Sequence, residues 1–66
     1  MELVINTFGS SLHVKDGLFH VSSKEKKLEI TPEKVDRILI TNAVSLSSDV
    51  ILMAIENNID IIFFDK

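Results

Sequence analysis

With 66 residues the chain can form one domain at most, and a domain of this size buries only about 60% of the surface its unfolded form exposes, so it is marginally stable. Cysteine is absent and 45% of the residues are hydrophobic, which rules out disulfides or a thiolate metal site as supplements to the core. Seven basic residues against ten acidic ones give a formal charge of −3, which provides no general electrostatic attraction for nucleic acid.

Residues Leu3 to Phe8 mix Leu, Val and Ile with Thr and Phe, predict a first strand, and stop at Gly9-Ser10-Ser11. The next segment, Leu12 to Val21, predicts a hairpin folded at Asp16-Gly17, a two-residue turn that takes positive φ and matches strand twist. That turn fixes the pairing: Lys15 faces Leu18, Val14 faces Phe19, His13 faces His20 and Leu12 faces Val21. One face of the hairpin is then apolar, and the other carries both histidines of the chain.

After Ser22-Ser23-Lys24-Glu25-Lys26, a turn whose lysines read as a solvated loop, Leu28 and Ile30 alternate with Lys27, Glu29 and Thr31 and predict a fourth, half-exposed strand. These four strands are expected to form an antiparallel meander. Pro32 breaks the ladder, since it has no amide donor and holds Thr31 extended. A further strand is predicted over Val35 to Thr41.

The cluster Ser45-Leu46-Ser47-Ser48-Asp49 supplies residues that cap orphan amides at a helix start, and a helix from about Ser48 to Asn57 follows. Its run Val50 to Ile55 is apolar all round, so burial on most sides is expected. Asn57-Asn58 suits a helix end, and Ile59 to Phe64 predicts a strand apolar on both faces. Strand, helix and strand imply a right-handed crossover. The fold class is therefore α+β: a hairpin-rich antiparallel meander, then a strand-helix-strand unit with one main helix, in a single β-rich domain over 1–66.

So apolar a last strand needs cover on two sides, which a small chain can scarcely provide. It suggests either a piece of a larger protein or a domain paired with another copy. No charged leader with a cleavage site is present, and the apolar runs are too short to span a bilayer. A soluble cytoplasmic protein without a membrane partner is expected.

Few residues suggest chemistry. His13 and His20 on one face, beside Ser11 and Ser22, have the makings of a metal site, but zinc normally needs a third protein ligand, and Asp16 or Glu29 is only a conceivable one. A polar or interfacial sheet face is the better reading of the pair. The serines and threonines sit in turns and caps without a nucleophile elbow, and Gly9 and Gly17 begin no phosphate-binding loop. The carboxylates Asp36, Asp49, Glu56, Asp60 and Asp65 are scattered, and none marks a paired acid and base. No catalytic, cofactor-binding or metal-binding residue is assigned.

Taken in order, Val4 to Leu12, the Asp16-Gly17 hairpin, Arg37 to Thr41, Val44 to Asp49 and Ile59 to Phe64 resemble the N-terminal domain of the CRISPR-associated integrase family, Cas1, the endonuclease of spacer acquisition. The resemblance covers essentially the whole chain. It implies a β-rich domain joined to a larger helical catalytic domain, absent here, in a homodimeric protein that assembles with the small partner Cas2 around double-stranded DNA. It also implies a metal-dependent enzyme that joins 3′-hydroxyl ends to the repeat, using Mg²⁺ or Mn²⁺ held by a Glu, a His and an Asp. None of those ligands matches a position in this chain, so the fragment alone is expected to be inert, with His13 and His20 as candidate interface or DNA-end contacts. The rival from another class is a small homodimeric β-rich adaptor that binds protein ligands by strand addition.

Overall fold

A computed structural model describes residues 1–41 and 44–64; Asn42, Ala43, Asp65 and Lys66, and with them the carboxylate noted at Asp65, lie outside the described residues. Among the described residues seven strands and one α-helix follow in the order β1 (Glu2–Ile5), β2 (Ser11–Lys15), β3 (Leu18–Ser22), β4 (Lys27–Ile30), β5 (Arg37–Ile40), β6 (Ser45–Leu46), α1 (Ser48–Glu56) and β7 (Asp60–Phe63), with a 3-10 turn at Pro32–Lys34. They form two sheets, one ordered β1-β5-β7 and one ordered β4-β3-β2-β6. The mixed α+β class and the single main helix agree with the sequence reading.

The hairpin has the predicted register, with Val14 opposite Phe19 and His13 opposite His20. Asp16 and Gly17 take φ of +53° and +74°, the pair of positive values that a type I′ turn needs to match the twist of its strands. β4 then adds antiparallel to β3, placing Phe19 opposite Ile30 and His20 opposite Glu29.

The first strand departs from the expected meander. β1 does not pair with β2; it runs parallel to β5, with Leu3 opposite Ile38 and Ile5 opposite Ile40. Between β1 and β2 the chain turns at Thr7 to Ser10, where Gly9 takes φ of +81° and the Ser10 N–H donates to the Thr7 carbonyl over 3.2 Å. That turn carries the chain into the second sheet, so the antiparallel meander has three strands, β2 to β4. The pair Ser45–Leu46, read as part of a cap, instead pairs parallel with Ser11 and Leu12 of β2.

β7 lies parallel to β5, with Ile38 opposite Ile61, so the chain crosses over through α1 between parallel neighbours. α1 packs on β2 and β7. The core gathers Leu3, Ile5, Ile38 and Ile40 from one sheet, Leu12, Phe19 and Ile30 from the other, and Val50 and Ala54 from the helix. Phe19, Ile38 and Val50 are fully buried.

Ser47 stands at the N-cap, but its side chain caps no amide. Its hydroxyl points to Asp49 and to the carbonyl of Leu12 instead. The C-terminal end follows a Schellman pattern: Asn58 takes φ of +56°, its N–H donates to Ile55, and the Ile59 N–H donates to Ala54 over 2.8 Å. Burial all round α1 is not found, since Val50 and Ala54 alone of the helix are fully inside, and Ile51, Leu52 and Ile55 are exposed. The three lie on the side of the helix away from β2 and β7, and nothing among the described residues covers them.

At the start of β1 the Met1 ammonium donates to the Lys34 carbonyl over 2.7 Å and to the Asp36 carboxylate over 2.8 Å. The Asp36 N–H returns a bond to the Met1 carbonyl. That ammonium, and to a smaller degree Arg37, holds the Asp36 carboxyl below its ordinary value of 3.8.

Candidate nucleic-acid and assembly interface

Alternation along β2, β3 and β4 sends Leu12, Phe19 and Ile30 into the core and leaves a polar outer face built in rows. One row is His13, His20 and Glu29; the next is Ser11, Ser22 and Lys27. The two imidazoles stack with ring centroids 5.2 Å apart and planes inclined by 29°. His20 Nε2 lies 3.2 Å from Glu29 Oε2, without the alignment of a hydrogen bond. Ser11 and Ser22 share a hydrogen bond of 2.7 Å between their hydroxyls.

The structure thus brings both sequence-predicted histidines together on an outer face. They are presented as one stacked unit, with the His20 side chain only 19% exposed. Among the described residues no three His, Asp or Glu side chains converge to hold a metal ion.

A second feature escaped the sequence reading. Phe8 was placed in the first strand, yet it sits in the Thr7 to Ser10 turn with 80% of its surface exposed. It lines a surface hollow with Thr7, Gly9, Ser23, Lys24 and Glu25, so it faces the β3–β4 turn that carries the lysine cluster. The available signal was the Phe8-Gly9 pair: a glycine at positive φ places the residue before it at the tip of a turn, where an aromatic ring gains nothing from burial.

The outer face of the three-stranded sheet is apolar at its centre. Val4, Leu39 and Ile62 stand in register across β1, β5 and β7, with Val4 49% exposed and Ile62 36% exposed. Phe64, two residues beyond Ile62, is 50% exposed. The charged row Glu2, Arg37 and Asp60 borders this patch, with Arg37 3.4 Å from Glu2. An apolar centre with a charged rim is the usual make-up of a protein interface.

No helix among the described residues is long and apolar enough to cross a membrane.

Comparison with known proteins adds the family context. The sequence model described as CRISPR associated protein Cas1 matches residues 3–66. Over 66 residues the chain is 36% identical to "CRISPR-associated endonuclease Cas1 1" of Archaeoglobus fulgidus, covering 98% of this chain and 19% of that protein. It is 35% identical over 64 residues to "CRISPR-associated endonuclease Cas1 2" of Saccharolobus solfataricus, covering 97% and 21%. The chain therefore spans about a fifth of the length of these relatives. Among solved structures, a Cas1 protein from Thermotoga maritima superposes with a TM-score of 0.84 at 20% identity, over 100% of this chain and 22% of the other. A casposase bound to integration product superposes with a TM-score of 0.76 at 23% identity, over 97% and 22%. At these identities the two structures establish a shared fold.

Proposed function

Because this chain belongs to the CRISPR-associated Cas1 family, we propose that it is the dimerisation and assembly domain of a spacer-acquisition integrase. The carrying observation is the row Val4, Leu39 and Ile62, an apolar sheet face that no other described residue covers fully. A second copy docked on the same patch buries it from both sides, as an isologous dimer requires. The full-length enzyme is a cytoplasmic, metal-dependent DNA endonuclease that assembles with Cas2, and its Mg²⁺ or Mn²⁺ ligands belong to its helical catalytic domain. A casposase bound to integration product and a Cas1–DNA complex, both with the same fold, support DNA as the partner, which we take to be double-stranded.

Within that assembly the domain brackets the end of a bound duplex. A base stacks on any accessible planar side chain. Phe8 offers such a ring at the tip of a turn, while His13 offers only the side not occupied by His20. Phe8 is the main stacking group, and the histidine face lies alongside the duplex.

Sedimentation of the 66-residue chain tests the reading. A dimer that Leu39→Glu converts to a folded monomer is expected; a well-folded parent that stays monomeric at high concentration overturns the assembly role. Incubation with blunt or branched DNA and Mn²⁺ gives no product, and cleavage that disappears in His13→Ala would overturn the placing of the chemistry elsewhere.

A further inference from the structure

We propose that the outer face of β2 to β4 holds a phosphate group, and the nucleic-acid reading above supplies its source, a backbone phosphate of bound DNA. His13, Lys15, His20, Ser22 and Lys27 line one shallow depression there. Lys15 and Lys27 take part in no ion pair among the described residues, so two ammonium groups border the depression without a carboxylate partner. Ser11 and Ser22 have two hydroxyl hydrogens between them, and their mutual bond uses one; the other is free to donate outward.

The roles divide by position. Lys15 and Lys27 supply charge from β2 and β4, while His13 and the serine pair supply hydrogen-bond donors. His20 lies between His13 and Glu29 and acts as a positioning residue: its ring stacks against His13 and its Nε2 stands 3.2 Å from the Glu29 carboxylate. Glu29 is the one acid in these two rows. Within the meander Asp16 and Glu25 sit in the two turns, and Glu2, Glu33, Asp36, Asp49, Glu56 and Asp60 lie outside it, so Lys15 and Lys27 outnumber Glu29 on the strands of this face of an acidic chain, and such a local field steers an anion.

The test titrates the isotopically labelled chain, in phosphate-free buffer, first with inorganic phosphate and then with a short blunt DNA duplex. The expected result is chemical-shift change confined to Ser11, His13, Lys15, His20, Ser22 and Lys27 with phosphate, and a tighter complex with the duplex. The double variant K15Q/K27Q should lose the phosphate response and lower the slope of log affinity against log salt by about 1 to 2, since each neutralised phosphate contributes about 0.9. Phe8→Ala separates the two ideas: it removes the preference for duplex ends but leaves the phosphate response intact. Phosphate binding without duplex binding keeps the anion site and sinks the DNA reading. Shifts elsewhere on the surface, no response to either ligand, or an unchanged salt slope in the double variant overturn the site.

Discussion

Two phenylalanines of this chain differ in environment as far as two residues can, and truncating each separates packing from presentation. Phe19 is 0% exposed, opposite Val14 and Ile30 at the centre of its sheet. Phe8 is 80% exposed at a turn. Removing a fully buried ring loses its transfer free energy and leaves a cavity, roughly 3–5 kcal/mol. A domain of 66 residues at about 0.05–0.15 kcal/mol per residue has only some 3–10 kcal/mol in all. Phe19→Ala should therefore leave a chain that is largely unfolded or close to it at room temperature. Phe8→Ala should stay within about 0.5 kcal/mol of the parent, the range of surface changes that touch no special feature. Urea unfolding followed by far-ultraviolet circular dichroism measures both, since the chain has neither Trp nor Tyr to report by fluorescence. A Phe8→Ala loss of more than about 1 kcal/mol would show that the ring is packed, and with it would go the argument that the turn presents it to a ligand. A Phe19→Ala variant as stable as the parent would refute the core assignment.

Other consequences concern backbone and charge. Gly17→Ala forces an L side chain to a φ of +74° and should cost about 1–2 kcal/mol, while Asn58→Gly, at φ of +56°, should be neutral or slightly stabilising because glycine takes that conformation freely. The same unfolding assay checks both, and a neutral Gly17→Ala would mean the hairpin turn is not type I′. Asp36 is held below its ordinary pKa by the Met1 ammonium, so its contribution is fully present above the unfolded-state value and fades as pH falls through the lower folded value. Asp36→Asn should consequently be less stable than the parent near neutral pH, with the two converging in acid; because the pair is exposed, the gap should be small and shrink further in high salt. A gap that widens in acid would give the linkage the wrong sign.

What could be read from the sequence divides by the range of the interaction. The hairpin register is set by two adjacent residues, Asp16 and Gly17, and was legible to the residue. The helix end at Asn57-Asn58 is equally local. The partner of β1 was not: Leu3 pairs with Ile38, and no local rule distinguishes that parallel contact from a hairpin with the next strand, since alternation inside β1 serves either sheet. Ser45–Leu46 failed for the opposite reason, because serines that suit a helix cap suit a short edge strand as well. In the helix the apolar run was read correctly but its consequence was not. Hydrophobicity all round states what α1 needs, whereas the number of neighbouring layers decides what it receives, and here β2 and β7 reach only the side of Val50 and Ala54.

Charge shows the same limit at the level of function. A net −3 argues against nucleic acid only if the charges are spread evenly, and they are not. The acids Glu33, Asp36, Asp49, Glu56 and Asp60 follow the meander in the chain, whereas four lysines, Lys15, Lys24, Lys26 and Lys27, lie within it against the three acids Asp16, Glu25 and Glu29. The fold brings the lysine turn beside Phe8 and aligns Lys27 with the serine pair on the histidine face. A phosphate at that face responds mainly to charges within a Debye length, about 10 Å at 0.1 M salt, while the molecule extends 27 × 24 × 21 Å. Acids farther away than that are thus screened from a ligand that Lys15 and Lys27 contact directly. The overall charge therefore governs approach at low ionic strength, and the local rows govern what is held once contact is made.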